Sequence, residues 1–304
     1  MTMGRVLITG GTGLLGGRIT QLLQDQGTGV AYLSRRPDYV ARIPAYEWDV
    51  NAQKIDADCL KDTGAIIHLA GAGVADRRWS AERKEEILQS RTRSTALLYK
   101  LLKENPHSVH TVVCASAIGY YGYDNGEWKD ENSAPASDFL ADVTKAWEDA
   151  EDRLAELGVR VVKIRIGIVL TREGGALKEL AKPIQWWAGA PLGSGDQYMS
   201  WIHIDDVTRI FLYALENDSL SGAYNAAAPN PVTNAVFTKA VAKTLNKPLL
   251  LPNVPPFAMR MLVGEMAEML LGGSRVSSEK IRDAGFVFNF PHLEEALEDL
   301  LRQN

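Results

Sequence analysis

The chain has 304 residues, 46% of them hydrophobic and 23% charged, with a formal net charge of −5 at pH 7. Such a chain buries a full core as an ordinary globular protein of one large domain or two interleaved ones. The negative balance excludes the basic surface that would release counterions from nucleic acid or anionic lipid, so neither is expected as a partner.

The start, MTMGRVLITGG, enters a strand-like run without a basic flank, a long apolar region or a small-residue cleavage site. No export signal is visible, and a cytoplasmic location is expected. The strand RVLIT leads into TGGTGLLGG, which holds GxGxxG from Gly11 and a wider GxxGxxG made by Gly10, Gly13 and Gly16. Glycine is required where the turn needs positive φ, and where a side chain would keep the backbone from a pyrophosphate seated on the next helix's N–H groups. The turn follows a strand and opens an amphipathic helix (Leu14, Leu15, Ile19, Leu22, Leu23), the context that separates a dinucleotide turn from a bare Gly-rich bend. The second strand, VAYLS, ends in Ser34-Arg35-Arg36, where a cofactor without a 2′-phosphate usually meets an acidic side chain. A guanidinium pairs with phosphate through charge-assisted bonds of about 1.5–3 kcal/mol each. NADP is therefore expected over NAD.

The runs AIIHLAG, SAERKEEILQSRTRSTALLYKLLKEN, TVVCASA, the helix around Lys145 and VRVVKIRIGIVL continue this alternation. Continuous apolar strands separated by helices predict an α/β fold, a doubly wound parallel sheet (Rossmann fold) covered on both faces. After Leu170 the chain turns to Gly, Pro and Trp, which suits a pocket more than a sheet. DDVTRIFLYALEND then reads as a helix and GAYNAAA as a strand returning to the sheet. The expected division is a cofactor domain over 1–170, with 205–228 returning to it, and a smaller, mostly helical substrate domain over 171–204 and 229–304. FAMRMLVGEMAEMLL is interrupted by Arg260, Glu265 and Glu268 and falls short of the ~20 apolar residues of a membrane span. It predicts a Met-rich amphipathic helix over a core or pocket. Cys59 and Cys114 stand far apart without CxxC or Cys/His spacing, so neither a disulfide scaffold nor a metal site is expected.

With these motifs in order, the chain resembles the extended short-chain dehydrogenase/reductase superfamily. TGGTGLLG is similar to its cofactor turn, Asp49-Val50 to its adenine contact, HLAGAG (68–73) to the strand end beneath the adenine ribose, and SAIGYYG (116–122) to its Ser-rich motif ending in Tyr-Gly. Arg77-Arg78-Trp79, SRTRST (90–95), TKAWE, APLGSG, WIHIDD and AGFVFNFPHLEEAL resemble the epimerase-family proteins, also called cell-division-inhibitor SulA homologues, within it. The resemblance spans the whole chain. It implies cofactor contacts at Gly10, Thr12, Gly13, Leu14 and Leu15, then at Ser34, Arg35, Arg36 and Asp49. Further contacts are implied at Leu69, Ala70, Gly71, Arg91, Ala115, Lys145, Gly167 and Ile168. Substrate contacts fall to Arg78, Trp79, Gln197 and Trp201.

Active members use a tyrosine four residues before a lysine on one helix, where the ammonium lowers the phenol's pKa for proton transfer. Here the lysine is Lys145 and the tyrosine position is Ala141; the assisting Ser/Thr position is Ala117, with Ser116 one place earlier. Lys145 still suits the nicotinamide ribose hydroxyls, or it pairs with Asp142 on a solvated face. Tyr120 and Tyr121 are candidate displaced acids, with Tyr121 alternatively a structural turn residue. His203 shares a face with Trp201 and Asp205 if the strand alternation continues, which favours an anchored histidine over a general base. Arg78 and Trp79 suit an anionic or planar substrate, or a capping and packing role with Ser80 as N-cap. The expected function is an NADP-dependent oxidoreductase or epimerase acting on a small carbonyl or hydroxyl compound through a non-standard proton donor, as a monomer or homodimer. The alternative is a silent NADP-binding sensor.

Overall fold

Alternation places Val6 and Ile8 on one side of the first strand and Leu7 on the other, and all three are fully buried. Apolar layers must therefore cover both faces. In the structure, a computed structural model describing residues 4–36, 42–123 and 126–302, helices supply those layers. The strands in chain order are β1 (Arg5–Thr9), β2 (Val30–Ser34), β3 (Ala45–Asp49), β4 (Lys54–Ile55), β5 (Thr63–His68), β6 (Thr111–Ala117) and β7 (Trp128–Lys129). They continue as β8 (Arg160–Ile166), β9 (Ile168–Leu170), β10 (Tyr198–Met199), β11 (Trp201–His203), β12 (Gly222–Ala226), β13 (Val232–Thr233) and β14 (Arg275–Val276). The helices are α1 (Leu14–Asp25), α2 (Ala81–Glu104), α3 (Phe139–Ala155), α4 (Gly175–Gln185), α5 (Ile204–Glu216), α6 (Asn234–Thr244), α7 (Pro256–Val263), α8 (Ala267–Leu271), α9 (Glu279–Asp283) and α10 (Leu293–Leu301).

The main sheet has the order β12-β8-β6-β5-β1-β2-β3-β4, parallel throughout except for the antiparallel edge pair of β3 and β4. Val6 and Ile8 pack with Ile19 and Leu23 of α1 and Ile210 and Phe211 of α5. Leu7 packs with Leu97, Leu98 and Leu101 of α2 and Leu154 of α3. Each such fully buried side chain contributes about 1.5–3 kcal/mol. From β1 the chain builds outward through β2 and β3 on one side and through β5, β6, β8 and β12 on the other. The order reverses between β1 and β5, where sheets of this kind open a crevice at the carboxyl ends of the strands. A smaller third core joins Leu170, Leu177, Trp201, Phe237 and Leu297.

Two expected elements divide. VRVVKIRIGIVL is not one strand: β8 ends at Ile166 and β9 pairs instead with β11. At the break a Cβ on Gly167 would lie 2.4 Å from the Ser200 carbonyl oxygen. The Gly167 N–H bonds to Ala226 and that of Ile168 to Ser200, so the ladder changes partner at the one residue that permits the approach. FAMRMLVGEMAEMLL is likewise broken at Gly264, whose φ of +64° ends α7.

Candidate cofactor and active site

The first turn sits at the reversal point. Gly10 has φ +69°, and a Cβ there would meet the Leu69 carbonyl at 3.1 Å. The turn after β1 and the end of β5 thus approach as closely as backbone allows. A Cβ on Gly16 would lie 2.4 Å from the Gly10 oxygen and one on Gly11 would enter the Tyr32 ring. The demanding positions are therefore Gly10, Gly11 and Gly16, while Gly13 serves as N-cap of α1 without a side-chain hydrogen bond. The Gly13 amide donates to the Gly10 carbonyl at 3.0 Å, so the amides left for a ligand are those of Thr12, Leu14 and Leu15. Thr12, Gly13 and Leu14 border a cavity of about 430 Å³ together with Arg18, Arg172 and His203.

Around this turn, Thr9 Oγ1 accepts from the amides of Leu69 and Ala70, each at 3.0 Å, and meets His68 Nδ1 at 2.8 Å. Burial pulls the His68 imidazole down to about 3, so it is a neutral strut beneath the site. Gly71 faces the Arg91 guanidinium, which donates to the carbonyls of Ala72 and Ile87 and lies 4.8 Å over Trp147. Burial lowers its pKa to about 10. Arg91, an expected cofactor contact, props the 70–73 loop. Ser34 Oγ accepts from the Arg36 amide at 3.1 Å. Arg35 and Arg36 are exposed, with no ion pair among the described residues. Asp49 Oδ1 accepts from the amides of Asn51 and Ala52, which fixes the turn at the end of β3.

At the ends of β6 and β8 the structure shows a buried polar network that the sequence reading missed. Glu148 accepts from Arg165 Nε at 2.8 Å and from a second guanidinium nitrogen at 2.9 Å, and from Ser116 Oγ at 2.6 Å. Arg165 also donates to the Tyr121 hydroxyl at 2.9 Å, which donates to Asn225 Oδ1 at 2.7 Å. Burial pushes the Glu148 carboxyl up, but the Arg165 hydrogen bonds and charge, with Ser116 and Lys163, outweigh it and hold the group below its ordinary value. Burial pushes the Tyr121 phenol well above its usual range, against the pull of Arg165 and Asn225. The hydroxyls of Tyr121 and Ser116, both candidate catalytic groups, are committed within this network. The signal for it was present: Lys163 and Arg165 share one face of a strand that is otherwise apolar after Arg160, and buried cations require partners.

Ala141 is fully buried and Lys145, one turn on, is exposed. Neither Lys145 nor Asp142 has an ion pair among the described residues. Tyr120 is half-buried, with its ring 5.4 Å from Tyr121 and 3.6 Å from the Arg165 guanidinium carbon. Its hydroxyl has no hydrogen-bond partner among the described residues. Ala115 is buried in β6, and Gly167 and Ile168 form the break after β8.

Of the substrate candidates, Arg78 is exposed and lies against Gly264. Trp79 donates to the Val74 carbonyl at 2.9 Å and packs on Phe139, while Ser80 caps α2. Gln197 is buried and donates to the carbonyls of Leu192 and Leu270. Trp201 has no exposure and belongs to the third core, so it reaches no substrate surface. The expected strand face of Trp201, His203 and Asp205 ends early. His203 Nδ1 accepts from the Asp205 amide as the N-cap of α5, its ring stacks on Phe290, and Nε2 lies 3.3 Å from Asp299. Burial lowers its pKa against the pull of Asp205 and Asp299. It is an anchored capping residue.

The comparisons agree with this architecture. Residues 6–227 match the model of the NAD dependent epimerase/dehydratase family, and residues 254–300 match a domain of unknown function, DUF1731. The chain is 37% identical over 303 residues to the chloroplastic epimerase family protein SDR39U1 homolog of Arabidopsis thaliana, covering 98% of this chain and 86% of that one. The crystal structure of human epimerase family protein SDR39U1 with NADPH superposes with a TM-score of 0.85 at 32% identity, covering 97% and 98% of the two chains. A nucleoside-diphosphate sugar epimerase from Corynebacterium glutamicum gives 0.81 at 31%; it covers 99% of this chain, which spans 58% of that longer one.

Proposed function

The chain belongs to the NAD dependent epimerase/dehydratase family, and from that membership we propose that it is an NADP-binding oxidoreductase or epimerase acting on a small carbonyl or hydroxyl compound. The observation that carries the reading is the pairing, at the strand-order reversal, of the Gly10 turn with the exposed Arg35 and Arg36 after β2. The residues fit the group. The α1 amides suit a pyrophosphate, and the two guanidinium groups suit a 2′-phosphate that a carboxylate there would repel. The NADPH held by the human relative supports the same choice. Bound there, the nicotinamide would supply hydride transfer.

This chain's own residues do the rest. Gly10, Thr12, Gly13, Leu14 and Leu15 hold the phosphates, Arg35 and Arg36 select the phosphorylated ribose, and Lys145 offers a free ammonium to ribose hydroxyls. Ala141 moves no proton. Tyr120 is the one candidate phenol whose hydroxyl is not already committed, and it is assigned the proton. Arg78 orients the substrate at the mouth between the 76–80 loop and Gly264. The test is NADPH consumption with a panel of carbonyl compounds, and product analysis of sugar nucleotides incubated with NADP, where epimerisation returns the hydride and consumes no net cofactor; cofactor binding is verified separately. Turnover lost in Tyr120→Phe supports the assignment; bound cofactor with no turnover on any substrate counts against it. A second reading, a cofactor-holding sensor without turnover, is favoured by one observation, the full burial of Ala141 where a catalytic tyrosine would stand.

A further inference from the structure

Eleven large hydrophobic side chains are exposed among the described residues, and seven of them fall in two short segments: Trp186, Trp187, Leu250, Leu251, Phe257, Met261 and Leu262, each half exposed or more. The two segments lie side by side. Lys247 Nζ is 4.7 Å from the Trp187 ring centroid, Leu192 bridges to Val254, and the Val254 amide bonds to the Pro191 carbonyl at 2.8 Å. Asn253 donates to Gly193 and Ser194. Phe257 and Met261 stand one turn apart on α7 and point outward, while Met259 between them is buried.

The sequence around these segments is also predominantly basic, and Glu265, just past α7, is paired to Lys84. From Ser219 to Gly264 the sequence has no Asp or Glu but holds Lys239, Lys243, Lys247 and Arg260, and Lys182 precedes the Trp pair. The overall charge of −5 conceals this local excess, and the expectation that anionic lipid is no partner rested on the overall charge alone. A two-fold contact with a second copy would set these cations against one another, which is unfavourable. Protruding Trp, Phe, Leu and Met, with Lys247 over Trp187 and Arg260 exposed on α7 between Phe257 and Met261, match the interface of an anionic bilayer, where amphipathic aromatics sit at headgroup depth and basic residues meet anionic headgroups.

We propose that the face formed by the end of α4, residues 247–254 and α7 docks the protein peripherally on an anionic lipid surface. No helix among the described residues is long and apolar enough to span a membrane; the contact is superficial, through side chains. This proposal is independent of the cofactor reading.

The experiment is cosedimentation of the full chain with phosphatidylcholine vesicles, with and without phosphatidylglycerol, at low and high salt. Binding is expected only with phosphatidylglycerol, with a blue shift of tryptophan fluorescence lost in Trp186→Ser/Trp187→Ser. Each of Lys247→Glu and Arg260→Glu is expected to weaken it about tenfold, and Phe257→Ser/Met261→Ser to abolish it, with NADPH affinity unchanged as the control for folding. Absence of binding to anionic vesicles overturns the proposal. So does a dimer, seen by light scattering, that shields Trp186 and Trp187 from quenching.

Discussion

The Arg165 guanidinium carbon lies 3.6 Å from the centroid of the Tyr120 ring, and the bidentate bond to Glu148 holds it there. The contact ties the candidate proton donor to an ion pair in the core of the sheet. It does so beside a helix position, Ala141, that carries no catalytic group.

Glu148 and Arg165 are nearly inaccessible, so removing one partner strands a buried charge. Glu148→Leu or Arg165→Met is expected to cost about 3–5 kcal/mol in chemical unfolding, and the double variant much less than the sum. Equal and additive small losses would show that the pair is not energetically coupled.

Tyr120 and Tyr121 are neighbours with opposite expectations. Tyr121→Phe leaves Asn225 Oδ1 and one Arg165 nitrogen without the phenol and should lower stability by about 1–3 kcal/mol. Tyr120→Phe, whose hydroxyl bonds to nothing described, should leave the unfolding midpoint unchanged and remove whatever turnover the wild type shows. The reverse pattern would reassign the proton to Tyr121.

His68 and Glu151 set a pH dependence of opposite sign. The folded pKa of His68 is lowered to about 3 by burial, whereas unfolded histidine titrates at about 6.5. Below about pH 6.5 the unfolded chain takes up the proton that the folded chain refuses. Stability therefore falls by about 1.4 kcal/mol per pH unit toward pH 3, and His68→Gln should flatten that slope. Burial, with the charge of Glu148, raises the Glu151 carboxyl well above its ordinary value, against the pull of Lys163 and the Cys114 thiol. The unfolded carboxyl ionises near its ordinary value while the folded one stays neutral, so this group's contribution is present in acid and lost as pH rises. Glu151→Met should raise the thermal midpoint at neutral pH, with the gain shrinking below about pH 4.5.

Much of this fold was legible because both-face burial writes strands as continuous apolar runs. RVLIT and VAYLS begin and end at the residues the pattern marks. The break at Gly167 was not legible, because a glycine in an apolar run also reads as a tolerated strand residue and only the Ser200 carbonyl, far along the chain, forbids a side chain there. The Glu148–Arg165 pair was overlooked because charges on a helix read as solvated. Its register is nonetheless written in the sequence. Lys163 and Arg165, two residues apart on a strand, span about 6.6 Å, and Asp152 and Glu148, four apart on α3, span about 6 Å. Lys163 meets Asp152 at 2.6 Å as Arg165 meets Glu148. The full burial of Trp201, expected at a substrate, was not legible because a tryptophan in an apolar stretch suits a pocket and a core equally.

The central claim is that the Gly10 turn with Arg35 and Arg36 holds NADP, and calorimetric titration with NADPH and NADH tests it most directly. Wild type should bind NADPH about tenfold or more tighter than NADH, and Arg35→Asp/Arg36→Asp should abolish or reverse that preference while leaving the unfolding midpoint unchanged. No heat with either coenzyme, or equal affinity for both in wild type and variant alike, would contradict it.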